Sequence, residues 1–219
     1  VGGHSQSGYW IDVNRQTTIE GLYAAGDVAG GAPKKYATGC MVEGEIAGLN
    51  ALSYIKEIEF AEIEQTLIME EFNRTFNSLV NGNAGGFDPQ KLEERLQKVM
   101  DEYAGGLSTD YQIHEEKLLE ARRLIKRIKE DLKQGKAKSK HQLMKLHEVI
   151  DRVWVAQILI EHLLYRKETR WKSYQQRIDY PEKDDENWFK FVNSRYDEQT
   201  DEIKIIERKH IGLGDLDDS

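Results

Sequence analysis

Between Gly21 and Gly48 the chain reads "GLYAAGDVAGGAPKKYATGCMVEGEIAG", an apolar run, a glycine turn and a helix start. Asp27 stands where the run ends, and a carboxylate there accepts hydrogen bonds from sugar-type hydroxyls. Gly30 and Gly31 follow, and without side chains their amides can be approached closely by a ligand. Thr38, Gly39 and Cys40 open the helix, where free amides and the positive dipole end suit a phosphate or an acceptor-rich ring. Lys34 and Lys35 lie inside the turn, either as anion ligands or as solvated charges. Cys40 reads as a small packed residue, unless the helix start lowers its thiol pKa. Upstream, His4 lies in "VGGHSQSG". An imidazole donates a hydrogen bond or passes a proton near neutral pH, but lone histidines are more often structural. Residue types alone leave a second reading open, an ordinary strand–turn–helix whose glycines serve tight packing.

The elements that must position these residues follow from periodicity. "GYWIDV" and "EGLYAAGD" carry the aromatic and β-branched residues of strands, with "NRQTT" as the turn between them. A helix is predicted from near Thr38 to about Lys56, with Met41, Ile46, Leu49 and Leu52 among its apolar positions. From Ile58 onward Phe60, Ile63, Leu67, Ile68, Phe72, Phe76 and Leu79 recur at helical spacing until "NGNAGG". Asp88-Pro89 restarts a helix that ends at Gly105-Gly106. Ser108 or Thr109 is expected to open the next, running to about Gly135. The last long helix should span about Ser139 to Thr169, and "WFKFVN" and "EIKIIER" around "YDEQTD" predict a β-hairpin. "GLGDLDDS" reads as a frayed tail.

Composition narrows the function classes. The 219 residues are 39% hydrophobic and 32% charged, which suits a soluble, helix-rich protein. No run of eighteen apolar residues predicts membrane insertion, and a net charge of -8 argues against nucleic acid as partner. A single cysteine rules out an internal disulfide and favours a reducing, cytoplasmic setting. The remaining histidines show no metal-ligand spacing, so no metal is expected. One basic run, Arg122 to Lys140, carries nine Lys or Arg against Glu130 and Asp131. It reads as a solvated helix face, with a docking patch for an acidic partner as the alternative.

"TIEGLYAAGDVAGG" followed by "GCMVEGEIAG" resembles the last flavin-contacting segment of the fumarate reductase and succinate dehydrogenase flavoprotein superfamily. "LQKVMDEYAGG", "HEEKLLEARRLI" and "RIDYPEKDDENWFKFVNSRYD" are similar to the α subunits of dissimilatory adenylylsulfate reductases. The resemblance implies a mainly α chain. It predicts a strand–turn–helix piece of a Rossmann-like FAD-binding domain over 1–57, a helical bundle over 58–170 and a tail with a β-hairpin over 171–219. In that family the G-x-G-x-x-G turn lies near the N-terminus of a longer protein, so the chain is expected to be its C-terminal part and inactive alone.

The same resemblance assigns roles. FAD is the implied cofactor, held by Asp27, Gly30, Gly31 and the amides of Thr38, Gly39 and Cys40. His4 is placed at the substrate as the catalytic residue, with Lys34 and Lys35 binding a small anionic substrate. Adenylylsulfate would give AMP and sulfite, and an iron–sulfur β subunit is the implied electron donor. The stretch "GGAPKKYATGC" lacks the arginine that fumarate reductases place there, and it differs from the His-Lys-Phe-Ser-Ser-Gly-Ser-like run of adenylylsulfate reductases. Another substrate in a fumarate reductase-like flavoprotein is therefore the alternative, as is a non-catalytic helical interaction domain. Glu168, Arg170, Arg177, Asp179, Asp184, Asp185 and Trp188 are expected to form an ion-pair network locking the tail, with Trp171, Tyr174 and Tyr180 packing around it.

Overall fold

The computed structural model describes residues 7–30, 36–59, 62–79, 86–170, 172 and 174–209. The chain divides into two compact units, Val1–Gln65 and Thr66–Ser219, and its architecture is mainly α as predicted.

In the first unit the expected strands reduce to single bridges. Tyr9 pairs parallel with Ala29, Ile11 antiparallel with Thr17, and Gln16 antiparallel with Tyr23. Extended backbone becomes a ladder only where a neighbour runs alongside it, and these segments meet their neighbours one residue at a time. Asp27 accordingly sits in a 3₁₀ turn, Gly26–Val28, and not at a strand end. Helix α1 (Ala37–Glu57) follows.

The second unit begins with α2 (Gln65–Phe76), shorter than its apolar pattern suggests, since 62–64 are not helical. Helix α3 (Pro89–Tyr103) starts as predicted, with Pro89 in the first turn and the Asp88 side chain accepting from the Gln90 amide at 2.9 Å. The following helix does not open at Ser108 or Thr109. Leu107–Thr109 forms a 3₁₀ turn and Asp110 takes a left-handed φ of 50°. A short strand β1 (Gln112–Ile113) precedes α4 (Glu115–Leu132). Helix α5 (Lys140–Tyr165) is capped by Ser139, whose Oγ accepts from the Gln142 amide, and it ends four residues before Thr169.

Beyond α5, β2 (Gln176–Arg177) pairs parallel with β1, a contact too short for periodicity to reveal. One turn of helix, α6 (Asp185–Trp188), leads into β3 (Lys190–Asp197) and β4 (Glu202–Lys209). These pair antiparallel from Lys190–Lys209 to Asp197–Glu202, the predicted hairpin.

Helices α3, α4 and α5 share one core. Leu92, Leu118, Ile125, Ile128, Leu146, Val149, Val153 and Ile160 are almost completely buried. Each such side chain contributes roughly 1.5–3 kcal/mol through the water it leaves. The hairpin is held to this core by Lys129 of α4, whose Nζ lies 4.4 Å from the Trp154 ring centre and pairs with Asp201. Tyr196 packs edge-on against Trp154, and its hydroxyl donates to Asp201 at 2.8 Å. Much of the basic run is spent this way, since Arg122 meets Glu161, Arg123 meets Glu120 and Lys133 meets Glu130.

Candidate functional site

The glycine turn and the start of α1 lie against each other. Gly26 takes a φ of +71°, a conformation side chains rarely adopt, and a Cβ there would sit 3.0 Å from the Cys40 Sγ. Gly30 is pinned beside the upstream loop by its amide, which donates to the Tyr9 carbonyl at 2.8 Å. A Cβ at Gly30 would come within 2.9 Å of the Gly8 and Tyr9 carbonyl oxygens, so this glycine serves close backbone packing. Asp27 is exposed on the same turn. Asp27, Thr38, Gly39 and Cys40 thus belong to one turn–helix junction, with Gly30 at its margin. His4, Gly31, Lys34 and Lys35 lie outside the described residues.

The helix start has the features of a donor site. Tyr36 precedes the first turn with extended backbone, and its side chain makes no capping hydrogen bond. The first intrahelical bond closes from the Cys40 amide to the Tyr36 carbonyl at 2.8 Å, so the amides ahead of it lack helical acceptors. Ala37, Thr38, Gly39 and Cys40 carry small side chains that leave those amides approachable. Ala37 and Thr38 are exposed, whereas Gly39 and Cys40 are half-buried.

Sequence reasoning missed the contact that ties this helix to the loop before it. Arg15 clasps Glu43 of α1 with two hydrogen bonds, Nε to Oε2 at 2.6 Å and a terminal nitrogen to Oε1 at 3.1 Å. The partners are 28 residues apart, and no motif joins them. Glu43 is one of three acidic residues in α1, beside Glu45 and Glu57, and nothing local distinguishes it as the buried one.

The tail network forms as expected. Glu168 has a fully buried side chain that accepts from Arg166 at 2.5 Å, from Arg170 at 2.8 Å and from the Asp184 amide at 3.0 Å. Burial pushes its carboxyl upward, but the bonds from Arg170, the Asp184 amide and Arg166 outweigh this and hold it below the ordinary range. Arg177, also buried, pairs with Asp179 at 2.9 Å and donates to the Leu163 and Arg166 carbonyls at the end of α5. Asp179 in turn caps α4 by accepting from the Glu115 amide at 3.0 Å. Its carboxyl, which burial pushes upward, is held down by Arg177 and that amide. Arg166 lies over the Trp188 ring and Arg177 over Tyr180. Tyr174 does not join the packing, being largely exposed, and Trp171 lies outside the described residues. Asp185 pairs with Arg170 at 2.7 Å, whereas Asp184 makes no ion pair among the described residues. It instead caps α6, accepting from the Asn187 amide at 3.0 Å and its side chain at 2.8 Å, so the carboxylates of the network act as a lock.

Among the described residues, no three His, Cys, Asp or Glu side chains are grouped to hold a metal ion. None of the described helices is long and apolar enough to cross a membrane.

Comparison with known proteins places this geometry. The α subunit of adenylylsulfate reductase from Megalodesulfovibrio gigas is 29% identical over 210 residues, covering 90% of this chain and 32% of that protein. The structure of adenylylsulfate reductase from the hyperthermophilic Archaeoglobus fulgidus superposes with a TM-score of 0.83 at 37% identity, covering 91% of this chain and 33% of that one. A quinol fumarate reductase of E. coli shares the fold, with a TM-score of 0.79 at 19% identity over 94% of this chain and 36% of that one. The chain therefore spans about a third of the length of the relatives it matches. The family described as "Fumarate reductase flavoprotein C-term" matches residues 93–212, more than half of the chain, and the chain belongs to that family.

Proposed function

We propose that the chain forms the C-terminal third of a flavoprotein oxidoreductase subunit that reduces adenylylsulfate to AMP and sulfite. The observation that carries this reading is the junction of the Gly26–Val28 turn with the uncapped start of α1, in a chain 37% identical to an adenylylsulfate reductase. The donor set fits a flavin. Consecutive amides flanked by small side chains meet the acceptor edge of a ring system, and an exposed carboxylate on the neighbouring turn meets hydroxyls. FAD, when bound, supplies two-electron transfer between the substrate and an electron carrier.

The chain's own residues then have distinct tasks. The amides of Thr38 and Gly39 donate to the ring edge and stabilise negative charge there, because the dipole of α1 adds to their own. The Cys40 amide is already bound to the Tyr36 carbonyl, and Cys40 contributes only a small side chain at the junction. Asp27 accepts from hydroxyls of the cofactor chain, Gly30 packs the turn against the upstream loop, and Gly31 is assigned an amide open to close approach by the ligand. His4 donates to a sulfonate oxygen of the substrate and stabilises charge on the departing group, while Lys34 and Lys35 attract the anionic substrate. The His4 assignment rests on the family resemblance, and those of Gly31, Lys34 and Lys35 on their residue types within the turn. An iron–sulfur β subunit is the proposed electron donor, and the cytoplasm the proposed compartment. A fumarate reductase-like activity is disfavoured because "GGAPKKYATGC" contains no arginine to deliver a proton.

The test is spectroscopic. In the complete subunit, sulfite with AMP should bleach the oxidised flavin band, whereas succinate should not. His4→Ala should keep its flavin and lose about a hundredfold or more in turnover, as removal of a charge-stabilising donor does. Bleaching by succinate but not by sulfite with AMP would refute the substrate assignment.

A further inference from the structure

Arg15 occupies a position that its turn would give to another residue. Asp12 to Gln16 form a tight hairpin, with the Arg15 amide donating to the Asp12 carbonyl at 3.1 Å and the Asp12 amide to the Gln16 carbonyl at 3.0 Å. The Asp12 carboxylate also accepts from the Asn14 and Gln16 amides, both at 2.9 Å, so the loop is well built without Arg15's side chain. The residue closing such a loop takes the left-handed conformation, normally the place of glycine or asparagine. Arg15 holds it with a φ of +69°, at a strain on the order of 1 kcal/mol.

That conformation sends the guanidinium to α1. Its two-pronged grip on Glu43 is the geometry in which arginine binds carboxylates most specifically. The Glu43 side chain is only 9% exposed and that of Arg15 20%, so water screens the pair weakly. A third bond, from the guanidinium to the Val13 carbonyl at 2.5 Å, fixes the fork to its own loop. Glu43 lies six residues into α1, about 9 Å along the axis from its start at the usual rise. An unpaired carboxylate there would oppose the positive field of the helix start.

We infer that Arg15 is a positioning residue of the flavin site: through Glu43 it fixes the start of α1 against the glycine turn and cancels the one buried negative charge on that helix. This rests on the flavoprotein reading above. The pair makes the junction stiff and electrically neutral, so that the amides of Thr38 and Gly39 keep their full effect on charge that develops at the ring.

The experiment compares flavin midpoint potentials in the complete subunit for wild type, Arg15→Gln, Glu43→Gln and the double variant, with flavin content measured beside each. Reduction adds negative charge, so a carboxylate left alone opposes it and a guanidinium left alone favours it. Arg15→Gln should therefore lower the potential and Glu43→Gln should raise it. Each should change the ratio of reduced- to oxidised-flavin affinity by about tenfold, and the double variant should return towards wild type. A purely structural pair would move stability alone, or shift both single variants the same way, and either result overturns the inference. If Arg15→Gln does not fold, Glu43→Gln still decides the sign. Absence of flavin from the wild-type subunit would overturn the flavoprotein reading itself, and this inference with it. Flavin present with four equal potentials would overturn only the role of the pair.

Discussion

The two units of the molecule bury different things. In Thr66–Ser219 the interior is a continuous set of large aliphatic side chains shared by three helices. Among the described residues of Val1–Gln65 the buried apolar ones are Ala24, Ala29 and Ala47, joined by the charged Glu43. Many of the large apolar side chains described in the first unit lie at its surface instead, with Val13 81% and Met41 77% exposed and Tyr9, Ile19 and Leu49 also open, although Ile11 is half-buried against the alanines. A core of alanines and an ion pair holds local geometry but contributes little burial. The helical unit is thus stabilised by its own core, whereas the described part of the first unit buries little apolar surface.

Single truncations should break this contrast or sharpen it. Leu118→Ala, at a fully buried position on α4, should cost about 3–4 kcal/mol in urea unfolding of the chain. Leu49→Ala on α1 should change it by no more than about 0.5 kcal/mol, because Leu49 is exposed in this chain. Equal losses at the two sites would mean the first unit has a core of its own.

The tail lock comes next in size. Glu168→Ala leaves Arg166 and Arg170 without their shared buried carboxylate, a change that should cost about 3 kcal/mol. Hydrogen exchange should then rise from Thr169 through the hairpin before it rises in α4. Uniform loosening of the whole unit would show that tail and bundle unfold as one.

Acid should act on the same lock with a smaller, graded effect. Glu168 and Asp179 have folded-state pKa values below their ordinary ones. Their stabilising contribution is therefore complete above the unfolded carboxylate value, near pH 4, and is lost as pH falls through the lower folded values. His162, whose pKa is lowered by burial and then by Arg166, favours its neutral form, so acid below about pH 6.5 already works against the end of α5. Thermal melts should be flat from pH 7 upward, decline below about 6.5 and fall more steeply below about 4. A melt insensitive to acid would remove these groups from the account.

How far the sequence speaks follows the same division. The helices of the bundle were legible because each buries one stripe against the others, so apolar spacing and caps such as Asp88 and Ser139 mark them directly. The hairpin was legible from alternation. The glycine turn and the helix after it were legible through the glycines and the small-residue helix start, but the strands were overread because aromatic and β-branched runs form ladders only beside a neighbour. The start of α4 was misplaced because its cap comes from Asp179, 64 residues away, and no local residue announces it. The Arg15–Glu43 pair was invisible for the same reason. Long-range partners leave no spacing to read.

If this chain supplies one side of a flavin site, it should bind the cofactor only weakly by itself. Fluorescence titration of FAD against the chain alone, beside the flavin content of the complete subunit, tests it most directly. Half a site lacks the contacts that offset ordering the ligand, so the chain alone should show no submicromolar binding while the complete subunit carries one flavin per polypeptide. Tight stoichiometric binding to the chain alone, or a complete subunit purified without flavin and unable to take it up, would contradict the account.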